Sequence, residues 1–205
     1  MIEAPATLTS SALDGFMHPG RYGRAAGPAG VVARERRNVA IASMIAKRGQ
    51  IAALSAKIKA RTGLDLPMTP RFANVGHLGF LWTAPGQWLA SAEGEAGAAF
   101  AQELALDLAG LAAVTDQSDG RVLIRVAGER VRDMLAKGCM IDLHPSTFKP
   151  GDTAITPIAL LTVQVTRLAD DAGAAVFELA AMRSFAPNLW HWLEASAAEF
   201  GLDVA

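Results

Sequence analysis

From Val39 onward the sequence repeats one order of secondary-structure signals, and this repeat limits the possible folds more than any other feature. Alternating apolar positions predict strands, and apolar positions three or four residues apart predict helices. Both stretches give the order β-α-β-β-α-β. The predicted fold class is therefore α+β, with two tandem ferredoxin-like halves that each carry helices on one sheet face. Halves of about 80 residues are marginally stable alone, so we expect them to pack as one body.

The first predicted half spans residues 31–117. Its predicted elements are a strand at 39–46, a helix with Ile51, Leu54, Ser55 and Ile58 on one face, strands at 78–83 and 87–91, a helix at 96–108 and a strand at 112–117. Gly63 stands where a C-terminal helix cap is expected, because glycine adopts the left-handed conformation at little cost. The turn Ala84-Pro85-Gly86 predicts that the two central strands form a hairpin.

The second predicted half spans residues 118–205. Its predicted elements are a strand at 121–126, a helix at 129–137 before Gly138, a loop at 139–152, strands at 154–167 and 175–182, a helix at 187–200 and a short strand at 202–204. The polar segment Asp170-Asp171-Ala172-Gly173 is typical of a hairpin turn. Ser184 is the predicted N-cap of the last long helix, because serine side chains accept hydrogen bonds from free helical N–H groups.

Residues 1–30 contain many glycines and prolines and no sustained periodicity, which predicts an extended N-terminal arm that needs a partner to order it. Four glycines follow one another at uneven intervals between Gly20 and Gly30, and no predicted strand precedes them. A phosphate-binding loop requires that strand and regular spacing. We therefore expect no nucleotide site in the arm.

Composition narrows the class of protein further. The chain of 205 residues is 51% hydrophobic and 19% charged, which predicts a folded core. No run approaches the ~18 apolar residues of a membrane span, and the N-terminus lacks a secretion-signal pattern. A single cysteine, Cys139, excludes a disulfide framework and favours a reducing compartment. We expect a cytoplasmic protein without a membrane partner.

The charge is unevenly distributed along the chain. Residues 1–72 carry 11 Lys and Arg against 4 Asp and Glu, whereas the net charge of the whole chain is −1. A basic region can attract nucleic acid or an acidic protein surface. However, Lys57, Lys59 and Arg61 fall on the polar side of a predicted helix, and no aromatic residues alternate with them as in single-strand binders. We therefore predict a solvated helix face and no nucleic-acid partner.

Few residues have the spacing of a catalytic or metal site. The four histidines, His18, His77, His144 and His191, are too far apart in sequence to form a helical metal-binding pair. Asp142 and His144 could form an acid–base pair, but Pro145 also suits a plain structural turn. Cys139 has no cation placed to activate it, so an inert thiol is expected. The sequence predicts no catalytic, cofactor-binding or metal-binding residue.

The last predicted helix carries two tryptophans, Trp190 and Trp192. Trp192 shares a face with Leu189, Leu193 and Phe200, whereas Trp190 lies about 100° from Leu189 around the helix. We therefore expect Trp192 to enter the core and Trp190 to face outward. Because tryptophan is enriched among interface anchors, Trp190 is the predicted contact with another subunit.

Several segments resemble a known family. They are 81–89 (LWTAPGQWL), 116–118 (DQS), 136–145 (AKGCMIDLHP), 183–186 (RSFA) and 189–193 (LWHWL), together with Phe148, Gly151, Ala154 and Thr156. Over residues 31–202 the chain resembles the gamma subunit of heterotetrameric sarcosine oxidase, a family whose fold is similar to the folate-binding domain of aminomethyltransferase. The residues of these segments singled out as interface or structural-motif candidates are Asp142, His144, Arg183, Trp190 and Trp192.

The resemblance implies an accessory, non-catalytic subunit whose partners are the alpha, beta and delta subunits. In such a complex FAD, FMN, NAD, zinc and tetrahydrofolate are held by other subunits, and sarcosine is demethylated to glycine. Two alternatives remain open at this point. One is a related subunit of an enzyme such as N-methylglutamate dehydrogenase, and the other is a stand-alone folate-dependent one-carbon protein.

Overall fold

In the computed structural model, which describes residues 10–205, two β-sheets face each other and carry their helices on their outer faces. The strands are β1 (Gly20–Tyr22), β2 (Val31–Glu35), β3 (Val39–Ala46), β4 (Phe72–Val75), β5 (Leu78–Ala84), β6 (Gln87–Glu93), β7 (Ala112–Asp116), β8 (Arg121–Ala127), β9 (Thr153–Ile158), β10 (Leu161–Arg167), β11 (Val176–Met182) and β12 (Leu202–Val204). The helices are α1 (Ile51–Thr62), α2 (Gly97–Asp107), α3 (Val131–Ala136) and α4 (Ala186–Ala197). Within residues 10–205 none of the helices is long and apolar enough to cross a bilayer. The predicted α+β class is confirmed.

The five-stranded sheet has the order β4-β5-β6-β3-β7 and contains the first predicted half. Apart from the added edge strand β4, this is the strand order of a ferredoxin-like unit. Leu54 and Ile58 of α1 and Phe100 and Leu104 of α2 are buried in one cluster with Met44 of β3. Burying each large side chain contributes about 1.5–3 kcal/mol. This apolar layer fixes both helices on the outer face of the sheet.

Helix α1 has the predicted glycine cap and carries its basic residues on the surface. Gly63 has φ 77° and its N–H donates to the carbonyl oxygen of Lys59, so α1 ends in a left-handed cap. Lys57 and Arg61 of α1 bind the Asp107 carboxylate of α2 at 2.7 and 2.9 Å. The basic side chains of this helix therefore connect the two helices at the surface.

The seven-stranded sheet has the order β1-β12-β2-β8-β11-β10-β9. Strand β2 lies between β12, to which it is parallel, and β8, to which it is antiparallel. Residues 31–35 were expected in the first half, but they complete the sheet of the second. Val31 and Ala33 account for this, because both are buried in the core of the seven-stranded sheet. The residues of a short strand do not indicate which distant strand it will pair with.

The segment before residue 30 is more integrated than the predicted extended arm. Residues 1–9 lie outside the described part of the chain. In the rest, β1 pairs antiparallel with β12. Leu13 is 0% exposed and joins the core of the seven-stranded sheet together with Met17. These apolar residues lie in turns, where no periodicity marks them as core.

The single strand predicted over 154–167 is wrong: it is a hairpin of β9 and β10. Ala159 and Leu160 form its turn with φ values of 49° and 71°. Tight hairpin turns with two positive φ angles usually contain Asn-Gly or Asp-Gly. Because Ala159 and Leu160 lack that chemistry, the sequence contains no signal for the turn. The predicted hairpin between strands ending at residue 167 and beginning at residue 175 is present as β10–β11.

The Asp107 carboxylate makes the stability of the chain depend on pH. Hydrogen bonds from Lys57, and then from Arg61, lower the pKa of Asp107. Its stabilising contribution is therefore complete above the unfolded pKa of about 3.9 and is lost as the pH falls through the lower folded-state value.

We predict that Asp107→Asn lowers the free energy of unfolding at pH 7 by roughly 0.5–1 kcal/mol, because this is a surface ion pair. Urea unfolding at pH 7 and pH 3 should show a smaller difference between variant and parent at pH 3. Asp119→Asn is the control, since Asp119 is exposed and has no ion-pair partner among residues 10–205. An equal deficit at both pH values would contradict the role given to the ion pairs.

Candidate functional site

Trp190 is buried, which contradicts the predicted outward position. Its side chain is 2% exposed and lies in the core of the seven-stranded sheet, where it contacts the Tyr22 ring edge-on at 6.3 Å between centroids. The prediction used Phe200 to define the buried face of the helix, but α4 ends at Ala197. The true buried face contains Ala186, Leu189, Trp190, Leu193, Ser196 and Ala197. Trp190 is therefore excluded as a surface contact.

Trp192 is the half-buried tryptophan of the pair and packs against the edge of the same core. Its ring lies over Gly138, where an added Cβ would come within 2.7 Å of the indole Cζ2. Glycine at this position permits the close approach of the two segments. This contact links the segments 136–145 and 189–193, which sequence analysis had singled out separately.

Asp142 and His144 do not form an imidazole–carboxylate pair. Asp142 Oδ1 accepts a hydrogen bond from the backbone N–H of His144 at 2.8 Å, and this bond is the main cause that lowers the pKa of Asp142. The His144 ring Nδ1 lies 2.7 Å from Ser146 Oγ. Both hydrogen bonds are local, and both residues are exposed. This geometry is that of a loop fixed by an Asx-type turn.

Arg183 and Cys139 also have structural surroundings. Arg183 Nη2 donates to the carbonyl oxygen of Ser10 at 2.6 Å and so holds the N-terminal segment against the end of β11. The predicted N-cap Ser184 is wrong, because α4 begins after Phe185 and no side chain caps it. Burial raises the pKa of the Cys139 thiol, which disfavours the nucleophilic thiolate.

A cleft with a volume of about 620 Å³ lies between the inner faces of the two sheets. It exists because each sheet uses one face to pack its helices, leaving the alternate residues of every strand to face the other sheet. Phe72, Leu81 and Leu89 line it from the five-stranded sheet. Leu123 and Val176 line it from the seven-stranded sheet. Its walls are therefore mainly apolar.

A cluster of charged side chains, buried at Arg36 and Glu178 and exposed at Glu93, crosses this cleft. Arg36 Nη1 donates to Glu178 Oε2 at 2.8 Å in the seven-stranded sheet, and Arg36 Nη2 lies 3.2 Å from Glu93 Oε1 in the five-stranded sheet. Arg125 Nη2 also donates to Glu178 Oε2 at 3.0 Å. Burial raises the pKa of Glu178, whereas the charge and the hydrogen bond of Arg36 act in the opposite direction. Arg36 thus joins the two sheets electrostatically.

Sequence analysis missed this cluster entirely. Arg36 and Glu178 are separated by 142 positions, and each looks like an ordinary surface charge in its own segment. The only local signal is the alternation of β8 and β11, which places Arg121 and Arg125 of β8 and Glu178 of β11 among apolar neighbours on the inner face. In residues 10–205 no three His, Cys, Asp or Glu side chains are grouped as metal ligands.

The fold defines the class: an α+β protein with two facing sheets and a cleft between them. A family model for the gamma subunit of sarcosine oxidase matches residues 48–199. The chain therefore belongs to the sarcosine oxidase gamma subunit family. Comparison with curated proteins found no match.

Two solved structures resemble the chain. The heterotetrameric sarcosine oxidase from Corynebacterium sp. U-96, in complex with pyrrole 2-carboxylate, matches with a TM-score of 0.74 and 26% identity, over 85% of this chain and 87% of that chain. The glycine cleavage system aminomethyltransferase T from Bartonella henselae matches with a TM-score of 0.62 and 14% identity, over 86% of this chain and 48% of that chain. The second match shows the fold alone, and it confirms the predicted aminomethyltransferase-like architecture.

The bridge between the sheets can be tested by mutation. Arg36→Gln should lower the free energy of unfolding by about 3 kcal/mol, because it leaves the buried Glu178 carboxylate with fewer partners. Adding Glu178→Gln to this variant should restore part of the lost stability, because it removes the buried carboxylate charge that Arg36 no longer compensates. Urea midpoints of both single variants and the double variant measure the coupling. Strictly additive losses would mean that Arg36 and Glu178 do not interact.

Proposed function

We propose that this chain is the gamma-type accessory subunit of a complex that oxidatively demethylates an N-methyl amine, and that it supports assembly without a catalytic centre of its own. The family match over residues 48–199 is the observation that carries the proposal. The similarity to a chain of a heterotetrameric sarcosine oxidase, over most of both chains, supports it. We propose partners of the alpha, beta and delta type, and the same similarity supports the presence of other subunits.

The proposed reaction of the whole complex is the conversion of sarcosine to glycine, with the methyl carbon passed to tetrahydrofolate. FAD, FMN, NAD and zinc are proposed to lie on the other subunits, and the complex to work in the cytoplasm. A related N-methyl amine dehydrogenase, such as N-methylglutamate dehydrogenase, remains the alternative for the substrate. A stand-alone folate-dependent protein is less favoured, because this chain spans only 48% of the aminomethyltransferase it resembles.

The local chemistry supports a non-catalytic role. The carboxylate of Asp142 is engaged with a backbone N–H, so it does not orient the His144 imidazole as a general base would require. The raised pKa of Cys139 keeps the thiol protonated at neutral pH. Arg36, Arg125, Glu93 and Glu178 of the cleft instead bond to one another.

With Trp190 excluded, the β9–β10 hairpin replaces it as the proposed contact with another subunit of the complex. Leu160 at its tip is 95% exposed and has φ 71°, a conformation that costs a leucine about 1 kcal/mol or more. Met140 is 75% exposed beside the hairpin, where the carbonyl oxygen of Gly138 bonds the N–H of Ala159. An exposed apolar side chain held in a strained turn is expected where it serves recognition rather than stability.

Co-expression with the alpha, beta and delta subunits of the same complex tests the assignment. We expect this chain to elute with them as one species in size-exclusion chromatography, in equal stoichiometry. Omitting it should lower the yield of assembled complex. Assembly of a fully active three-subunit complex, with this chain eluting separately, would contradict the accessory role.

Leu160→Gly separates the contribution of this residue to stability from its contribution to assembly. In the isolated chain it should raise stability by about 1 kcal/mol, because glycine tolerates positive φ. In the complex it should weaken association by roughly 2 kcal/mol, the loss expected for an interface anchor. Leu106→Ala is the matched control, since Leu106 is 72% exposed on α2, on the other sheet. Unchanged association of Leu160→Gly would remove the hairpin from the interface.

A further inference from the structure

Arg121, at the start of β8, is a half-buried cation without a counter-ion. Its guanidinium forms no ion pair or hydrogen bond with residues 10–205, and its Nε atom is fully buried. Loss of water around the side chain lowers the pKa of Arg121, and no carboxylate of the described residues acts in the opposite direction. A charge that leaves water without a partner is costly, so a native protein usually supplies an opposite charge nearby.

A cavity of about 340 Å³ opens beside this guanidinium. It adjoins the cleft, because Ile41 and Leu123 line both spaces. Unlike the cleft, it is bordered by Arg121, by Arg183 and by residues 10–12 of the N-terminal segment. Ligand sites commonly measure about 300–1,000 Å³, so the cavity has room for a small organic molecule.

Arginines outnumber carboxylates along the walls of this cavity. Arg36, Arg37, Arg121 and Arg183 line it, whereas Glu35 is the one acidic residue among its lining residues in the described chain. Arg36 is already neutralised by its ion pairs across the cleft. The other three arginines therefore decide the charge of the cavity.

The carboxylates next to the cavity neutralise Arg37 and Arg183 but not Arg121. Arg37 binds Glu35 at 2.8 Å and Asp14 at 2.6 Å. A hydrogen bond from a backbone N–H is the main cause that lowers the pKa of Asp14, and the charges of Arg37 and Arg183 add to it. Two carboxylates thus face two guanidinium groups. Arg121 adds one positive charge that no carboxylate of residues 10–205 compensates.

The Arg183 side chain can supply a second donor. Arg121 is the cross-strand partner of Met182, so Arg183 follows at the same corner of the sheet. Nη2 of Arg183 donates to the carbonyl oxygen of Ser10, and its other two nitrogens have no hydrogen-bond partner in the described part of the chain. The N–H groups of a guanidinium form a planar fork that matches the two oxygens of a carboxylate.

We propose that the cavity binds a small organic monocarboxylate, whose carboxylate pairs with Arg121 and accepts a hydrogen bond from Arg183. The single negative charge of the ligand balances the one uncompensated cation. Val39, Ile41 and Leu123 form the apolar wall against which the body of the ligand packs. The inference goes beyond the proposed role in assembly and does not depend on it.

Isothermal titration of the full chain with phenylacetate tests the site, and neutral phenylacetamide is the matched compound of the same size. We expect the affinity for the acid to exceed that for the amide by about tenfold or more, the effect of one charge-assisted interaction. Arg121→Gln should remove this preference and leave amide binding unchanged, and Arg121→Lys should keep part of it. Because Arg121 has no described partner to lose, the urea midpoint of ligand-free Arg121→Gln should not fall below that of the parent.

Arg34→Gln is the control for the loss of one positive charge and for the position of the site. Arg34 is exposed and lines the adjoining cleft but not this cavity, so the variant should bind the acid as the parent does. Glu3 is the one acidic residue of residues 1–9, which lie outside the described part of the chain. Glu3→Gln should also leave the affinity for the acid unchanged.

No binding of phenylacetate by the parent chain would overturn the proposal. Equal affinities for acid and amide, or an acid preference that survives Arg121→Gln, would overturn it as well. Loss of the preference in Arg34→Gln would place the site in the cleft instead. Tighter binding of the acid by Glu3→Gln would mean that the chain supplies its own carboxylate, and either result would contradict the proposed site.

Discussion

The Arg36 side chain bonds to both sheets of the protein. Its guanidinium bonds to Glu178 in one sheet and to Glu93 in the other, and it is only 10% exposed. Residue 36 lies where the chain leaves β2 of the seven-stranded sheet and enters β3 of the five-stranded sheet. Arg36 therefore forms its ion pairs at the point where the chain passes from one sheet to the other. A largely buried cation needs such compensation. Hydrogen bonds from Gln164 to the Trp82 carbonyl oxygen and from the Phe72 N–H to the Gly151 carbonyl oxygen join the two sheets as well.

Around this point, the sequence predicts those elements whose signals are local. The strand over residues 39–46 and the short strand over 202–204 were predicted with the bounds they have in the structure. Gly63 ends α1, and the turn at Ala84-Pro85-Gly86 joins β5 to β6 as its chemistry indicates. Capping and turn formation depend on a few consecutive residues, which is why pattern analysis could identify them.

Features that depend on distant partners could not be predicted in this way. The insertion of β2 beside β8 depends on pairing across more than half of the chain. The turn at Ala159 and Leu160 has positive φ angles without the usual residues, so its cost is met by the strands on either side. Trp190 was placed on the wrong side because Phe200, which lies beyond the end of α4, was used to set the helix face. The cleft charges are recognisable only after both sheets are assembled.

The two faces of each sheet thus have different roles. The outer faces bury the apolar side chains of the helices and provide stability. The inner faces keep Arg34, Arg36, Arg125 and Glu178 in a mainly apolar cleft. A subunit that only filled space would be expected to close this gap with apolar side chains, as the interior of a sandwich does.

The central claim, that this chain is an accessory subunit without a redox or metal centre, can be tested by native mass spectrometry of the assembled complex. Controlled dissociation should release this chain at the mass of its polypeptide, with FAD, FMN and zinc retained by the other subunits. Release of this chain with stoichiometric flavin or zinc would contradict it.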